Sequence, residues 1–269
     1  MHPEDEKEIL TLRRLLENGV AKRYNLLEWC TNKHCENANA FERTRMIFEQ
    51  IRPEVSRLFA WEESLSLAQK RKQSGDNFVY GEIVLEEFYD FLCRYAKNLA
   101  PGTPSSRSFY DLGSGTGKSV LVAALCPEFQ HARGCEIIEC LHGIATTIVD
   151  DFREIVQPAL PLQMGEKSMS VRHGDFFEEE ALREWTTCDF VWCNCLTWDE
   201  DRMERLAKAA ERMPLNAVFV TVLLPLPSAA FEVVAEEELN FSWGSPAPVL
   251  VHVKRRQLEE SLVESFLKI

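Results

Sequence analysis

The stretch Phe109 to Ser119, FYDLGSGTGKS, constrains the fold more than any other part of the chain. A short apolar run ends in Asp111. Glycines then alternate at Gly113, Gly115 and Gly117, and an apolar helical segment follows from Val120 to Leu125. That order is strand, turn, helix. Glycine lets the backbone turn tightly and lie against a ligand with no Cβ in the way. A second apolar segment, Ala132 to Glu136, closes on an acid 25 residues after Asp111. Ribose-binding carboxylates of nucleotide-binding α/β units occupy that position. The expectation is a nucleoside cofactor gripped at the end of a parallel sheet.

Three cofactor classes compete for such a turn. A P-loop requires glycine five residues before Gly117-Lys118-Ser119, and that position is Leu112. A dinucleotide fold requires G-x-G-x-x-G, and Lys118 stands where the third glycine belongs. Asp111 opposes both, because an acid at the end of the first strand repels a pyrophosphate or triphosphate. It suits a ligand with an ammonium and no phosphate. S-adenosylmethionine is such a ligand, and Asp-x-Gly-x-Gly-x-Gly with a downstream acid is similar to the pattern of class I methyltransferases.

Alternation of apolar strands with helices after residue 104 predicts an α/β fold. The expected form is a doubly wound, mostly parallel, seven-stranded sheet covered on both faces. Strands are expected near 108–112, 131–136, 168–173, 188–193, 217–223, 239–243 and 248–254. Helices are expected near 117–126, 138–156, 177–185, 199–212, 228–238 and 257–267. The short turn Gly244-Ser245-Pro246 makes the last two strands antiparallel, because a parallel crossover needs a dozen residues or more. Residues 4–28 and 40–72 read as helical. The organisation expected is therefore a helical region over 1–75, for substrate docking or as a lid, and a catalytic domain over 76–269.

Charge divides at the same place. Residues 1–75 carry 13 Lys and Arg against 12 Asp and Glu, and residues 76–269 carry 17 against 31. An acidic catalytic part repels nucleic acid and attracts a basic protein substrate. A soluble acidic surface explains the charge equally well. Lys70-Arg71-Lys72 and Lys254-Arg255-Arg256 are basic clusters that suit DNA contact or a nuclear signal, or simply a solvated element end. The start, Met-His-Pro-Glu-Asp, has neither basic nor apolar character, so no signal peptide is read. Ala217 to Phe231 is broken by Pro225 and Pro227 and is too short to span a bilayer, so no membrane is expected. The nine cysteines follow no regular spacing and suit buried free thiols. Cys30, His34 and Cys35 lack a second ligand pair, so no metal site is expected.

Ligands of such sheets lie outside the carboxyl ends of the strands. The rim then gathers Asp111 to Gly117, Glu136, Gly174-Asp175-Phe176 and Cys193-Asn194-Cys195. Glu136 suits the ribose hydroxyls, Asp175 the adenine amine and Phe176 its ring. Asn194 would present a carbonyl near the sulfonium. An aspartate after a strand also commonly serves as a cap for the next helix.

Phe78-Val79-Tyr80-Gly81-Glu82 resembles the Tyr-Gly-Glu loop of the Dot1 histone-lysine methyltransferases, and the match continues in order. Asp-Leu-Gly-Ser-Gly-Thr-Gly (111–117), Gly134-Cys135-Glu136 and His173-Gly174-Asp175-Phe176 are similar to successive motifs of that family. Cys193-Asn194-Cys195-Leu196 falls where the family has Asn-Asn-Phe, and Phe241-Ser242-Trp243-Gly244 resembles its late Ser-Trp element, with His252 on the strand beyond. The resemblance covers roughly 77–256. It implies methyl transfer from S-adenosylmethionine to a lysine on the globular core of histone H3, within nucleosomes, in the nucleus. Tyr80 and Glu82 would close over the methionine part and Asp111 would hold its ammonium. Asn194 would line the transfer point, and Trp243 an apolar channel for the lysine stem. The implied cofactor set is Tyr80, Glu82, Asp111, Gly113, Gly115, Gly117, Lys118, Glu136, Asp175, Phe176 and Asn194; the implied catalytic set is Asn194, Tyr80 and Trp243.

Departures are local. The family's second Asn is Cys195 here, its aromatic is Leu196, and Lys118 replaces a polar amide. Val249 and Leu250 stand where the family has tyrosines. With no long basic tail, DNA contact falls to Lys70, Arg71 and Lys72 or to the rest of the near-neutral N-terminal part. The alternatives are a class I methyltransferase for another protein or a small molecule, and a non-catalytic cofactor-binding scaffold.

Overall fold

The structure is a computed structural model and describes residues 39–51, 82–160, 164, 166–241 and 244–257. Its centre is a seven-stranded sheet in the order β3-β2-β1-β4-β5-β7-β6. The strands are β1 Ser108–Leu112, β2 His131–Glu136, β3 Ser168–His173, β4 Phe190–Cys193, β5 Val218–Val222, β6 Phe231–Asn240 and β7 Pro246–Lys254. β1 to β5 are parallel neighbours, and β7 runs antiparallel to both β5 and β6. Strand order therefore reverses between β1 and β4, and a crevice opens there beyond the strand ends.

The helices are α1 Ala40–Ile51, α2 Leu85–Leu99, α3 Lys118–Leu125, α4 Glu139–Asp151, α5 Glu179–Trp185 and α6 Glu200–Ala210. α4 continues through a π turn, Phe152–Val156, and a last turn, Gln157–Ala159. α2 has acids in its first turn, Glu86 and Glu87, and Lys97 in its last, which favours the helix dipole at both ends. Pro101 follows its end and cannot continue it. Asp199 caps α6, its side chain accepting from the Arg202 amide at 2.9 Å.

Strand residues alternate between two cores, as a period of two requires. Phe109, Phe190, Trp192, Val218 and Val220 face α2 and α3, where Phe88 meets Trp192 edge-on at 4.8 Å. Tyr110, Leu112, Val191, Cys193 and Phe219 face α5 and α6, with Trp185 against Phe219. Full burial of each such side chain contributes roughly 1.5–3 kcal/mol. α1 joins the first core, with Ala40 and Phe41 buried and the Phe41 ring 5.3 Å from Tyr89.

Two expectations need correction. Residues 231–240 form strand β6, where a helix over 228–238 was expected and the strand was placed at 239–243. Pairing with β7 overrides the helix propensity of the Ala and Glu residues there, and β6 becomes an acidic sheet edge. Lys254 is not a solvated basic residue. Its ammonium is buried and donates to the carbonyls of Glu211 and Met213 beyond α6, and Arg255 pairs with Glu232 at 2.8 Å. The expected helices over 4–28 and 257–267 fall on residues outside those described, apart from Gln257 itself, as does the 52–72 part of the expected helix over 40–72.

Candidate active site

The glycine turn leaves β1 at Asp111 and reaches α3 at Lys118. Gly113, Gly115 and Gly117 have φ of 85°, 56° and 80°, a region that side chains with a Cβ rarely adopt. The Gly113 and Ser114 amides donate to the Cys135 carbonyl at 2.9 and 3.0 Å, which fixes the turn against β2. A Cβ on Gly113 would meet nothing within 4 Å, so that face of the turn is open.

Two buried carboxylates flank the turn. Asp111 accepts from the Ser119 hydroxyl, in the first turn of α3. Burial pushes its carboxyl up to about 7; the Ser119 bond opposes this, and neighbouring Glu136 adds to it. Among the described residues no cation pairs with it. Glu136 receives the Gly115 amide on Oε2 and the Ile138 amide on Oε1, each at 2.7 Å. Its carboxyl is raised by burial, against the pull of those amides.

Beside the turn, Glu82 accepts from Thr116 Oγ1 at 3.2 Å and from Lys118 Nζ at 3.0 Å. Across the rim, Gly174 has φ 145°, and Asp175 Oδ1 caps the Phe177 amide at 2.9 Å. Phe176 lies nearly parallel to Trp198, with centroids 5.6 Å apart, and Arg202 stands over the same tryptophan. Asn194 lies half-buried in the loop after β4. That loop is tied to β5 by the Cys195 thiol donating to the Val222 carbonyl. Leu223, just past β5, has φ 74° and stands 43% exposed at the same rim. His252 faces away into the second core. Its Nδ1 donates to the Phe219 carbonyl and its Nε2 accepts from the Leu226 amide, so it is neutral and structural.

The structure thus brings Glu82, Asp111, Gly113, Gly115, Gly117, Lys118, Glu136, Asp175, Phe176 and Asn194 to one end of the sheet. Tyr80 and Trp243, and the basic cluster Lys70, Arg71 and Lys72, lie outside the described residues. Sequence reasoning missed Thr116, Ser119 and Trp198. Ser119 was visible only as the last letter of a failed P-loop, and an isolated tryptophan after a loop carries no periodic signal. Among the described residues no group of side chains is arranged to hold a metal ion, and no helix is long and apolar enough to cross a membrane.

A sheet of this order with its seventh strand reversed, and a glycine turn flanked by acids at the switch point, define a class I methyltransferase domain. The model of the family described as Histone methylation protein DOT1 matches residues 63–222, more than half of the chain, and the chain belongs to that family. No curated protein sequence matches it. Solved structures similar in fold include the rRNA methyltransferase aviRa from Streptomyces viridochromogenes. It is 14% identical with a TM-score of 0.49, over 76% of this chain and 93% of that one. TrmN from Thermus thermophilus is 16% identical with a TM-score of 0.44, over 62% and 48%. PKMT2 from Rickettsia typhi, in complex with AdoHcy, is 13% identical with a TM-score of 0.39, over 52% and 26%. Each is a distant likeness.

Proposed function

We propose that the protein is a nuclear histone-lysine N-methyltransferase that uses S-adenosylmethionine and acts on the globular core of histone H3 in nucleosomes. Asp111 carries the reading. It is a buried carboxylate beside a phosphate-hostile glycine turn, paired with no described cation, and an ammonium suits it. S-adenosylmethionine, when bound, supplies that ammonium and the methyl group. Glu136 and Asp175 are assigned to ribose and adenine, Phe176 to the adenine ring, and Gly113, Gly115 and Gly117 to the backbone cradle. Tyr80, Glu82 and Lys118 are assigned to the surroundings of the methionine end. Asn194 is assigned to the transfer point and Trp243 to an apolar channel for the lysine stem.

The chemistry asks for a neutral amine, whereas a free lysine is charged at neutral pH. An apolar aromatic channel disfavours the ammonium and lowers its pKa. The amine then needs only to be held in line, and positioning supplies most of the acceleration. An acidic catalytic part attracts a basic histone surface, while Lys70, Arg71 and Lys72 are left for nucleosomal DNA. The test is methyl transfer from labelled S-adenosylmethionine to nucleosomes and to free core histones, in the same salt. Label on H3, located on a lysine by mass spectrometry, supports the reading. Tight cofactor binding with no label on either substrate rejects the histone assignment.

A further inference from the structure

The Lys118 side chain already has a partner. Nζ sits 3.0 Å from Glu82 Oε2, with only 9% and 11% of the two side chains exposed. The other Glu82 oxygen takes the Thr116 hydroxyl. Thr116 and Lys118 flank Gly117, so one carboxylate grips the glycine turn on both sides of its last left-handed residue. The residues just after Glu82 are fixed at a second place. Ile83 bridges Phe241, the Val84 amide donates to the Asn240 carbonyl at 2.9 Å, and the Glu87 carboxylate accepts from the Asn240 amide and side chain at 3.0 and 2.8 Å. Residues 82–87 therefore span from the glycine turn to the end of β6, immediately before Ser242-Trp243.

We infer that Glu82 and Lys118 are positioning residues: the pair braces the glycine turn against the end of β6, and Lys118 serves Glu82 rather than the cofactor. This rests on the cofactor reading above and adds how that site is held. A nearly buried ion pair is suited to the task. Removing one partner leaves the other charge less well compensated, while neutralising both relieves that penalty. The two assignments for Lys118 then differ in sign at Glu82. A brace is weakened by the loss of either partner. A lysine that binds the cofactor directly is freed by the loss of Glu82.

The test is a cycle of Glu82→Gln, Lys118→Gln and the double variant, with Lys118→Arg as the charge-retaining control. Binding of S-adenosylhomocysteine is measured by calorimetry, and amide hydrogen exchange without ligand. Each single glutamine variant should raise Kd at least about fivefold, and the double variant by much less than the product of the two. Lys118→Arg should stay near wild type. Exchange at the Val84 and Gly117 amides should accelerate in both single glutamine variants. Weakening by Lys118→Gln with wild-type binding in Glu82→Gln would overturn the brace and make Lys118 a direct contact. If the wild-type protein fails to bind S-adenosylhomocysteine, the cofactor reading falls. The brace is then judged on exchange alone: faster exchange at both amides sustains it, and unchanged exchange at Gly117 overturns it.

Discussion

Asp111→Asn should make the ligand-free protein more stable and the cofactor site worse. The carboxyl is pushed from 3.8 up to about 7 by burial. A group whose folded pKa is raised contributes stability that is fully present below the unfolded pKa and lost as pH rises through the folded value. For Asp111 that loss runs from about pH 4 to just above pH 7. At roughly 1.4 kcal/mol for each tenfold change in proton affinity, holding it ionised at pH 8 costs the fold at most about 4 kcal/mol. Screening and relaxation at an effective dielectric near 20 leave about 1–2 kcal/mol as the working value. The amide removes that cost and can still accept from Ser119. In a domain of this size the melting temperature should rise by roughly 2–8 °C at pH 8. The gain should shrink towards pH 5, where the wild-type carboxyl is protonated too. On the proposed assignment of Asp111 to the cofactor ammonium, binding of S-adenosylhomocysteine should fall, because a charge-assisted bond is worth about 1.5–3 kcal/mol, or roughly 10- to 150-fold. Scanning calorimetry of both proteins from pH 5 to 8.5, with titration calorimetry at pH 8, measures all three effects. A variant that melts at or below wild type at pH 8, or a difference that does not change with pH, refutes the argument that burial raises this carboxyl.

A Cβ at Gly134 would lie 2.6 Å from Ser114 Cβ and 2.8 Å from both Ser114 Oγ and Val120 Cγ2, so β2 or the glycine turn must shift. Gly134→Ala should cost about 2 kcal/mol, lower the melting temperature by roughly 4–8 °C and weaken S-adenosylhomocysteine binding; wild-type melting would show that the turn has slack. Gly143→Ala is the opposite case: it lies in α4 with open space around it. Thermal unfolding should show a gain of about 0.5–1 kcal/mol, and any loss would mean that the helix is strained there. Lys254→Met strands the carbonyls of Glu211 and Met213, and unfolding in urea should report a loss of about 1–3 kcal/mol with cofactor affinity unchanged. A variant as stable as wild type would mean that water satisfies those carbonyls equally well.

What could be read in advance followed from what the backbone demands of single residues. Three alternating glycines before an apolar run have few uses besides a tight turn, and all three adopt positive φ. The acids Asp111 and Glu136 were legible because a strand end is fixed by where its apolar run stops. Strand β6 was misread for an equally local reason. Its pairing with β7 is interrupted between Val233 and Ala235, and a bulge resets which side chains face the core. Val233 and Val234 then break the period of two, while Glu236, Glu237 and Glu238 read as helix formers. The π turn at Phe152–Val156 left no mark in a pattern that reads as continuous helix.

The partners were the illegible part, because a partner is chosen by geometry that sequence distance hides. Glu82 meets Lys118 across 36 positions, and Lys254 reaches carbonyls more than 40 positions away. The lysines show why composition misleads here. Lys167 and Lys254 count as surface charge, yet both ammonium groups are buried against carbonyls just beyond helices, Lys167 on Cys126 and Phe129 past α3 and Lys254 past α6. Helix ends leave carbonyls that something must satisfy. In this chain two lysines do so, and their long stems pack inside the fold. Among the described residues, acids such as Asp111, Glu136 and Asp151 are buried as well as those lysines, so a charge count taken from composition describes the surface of neither sign.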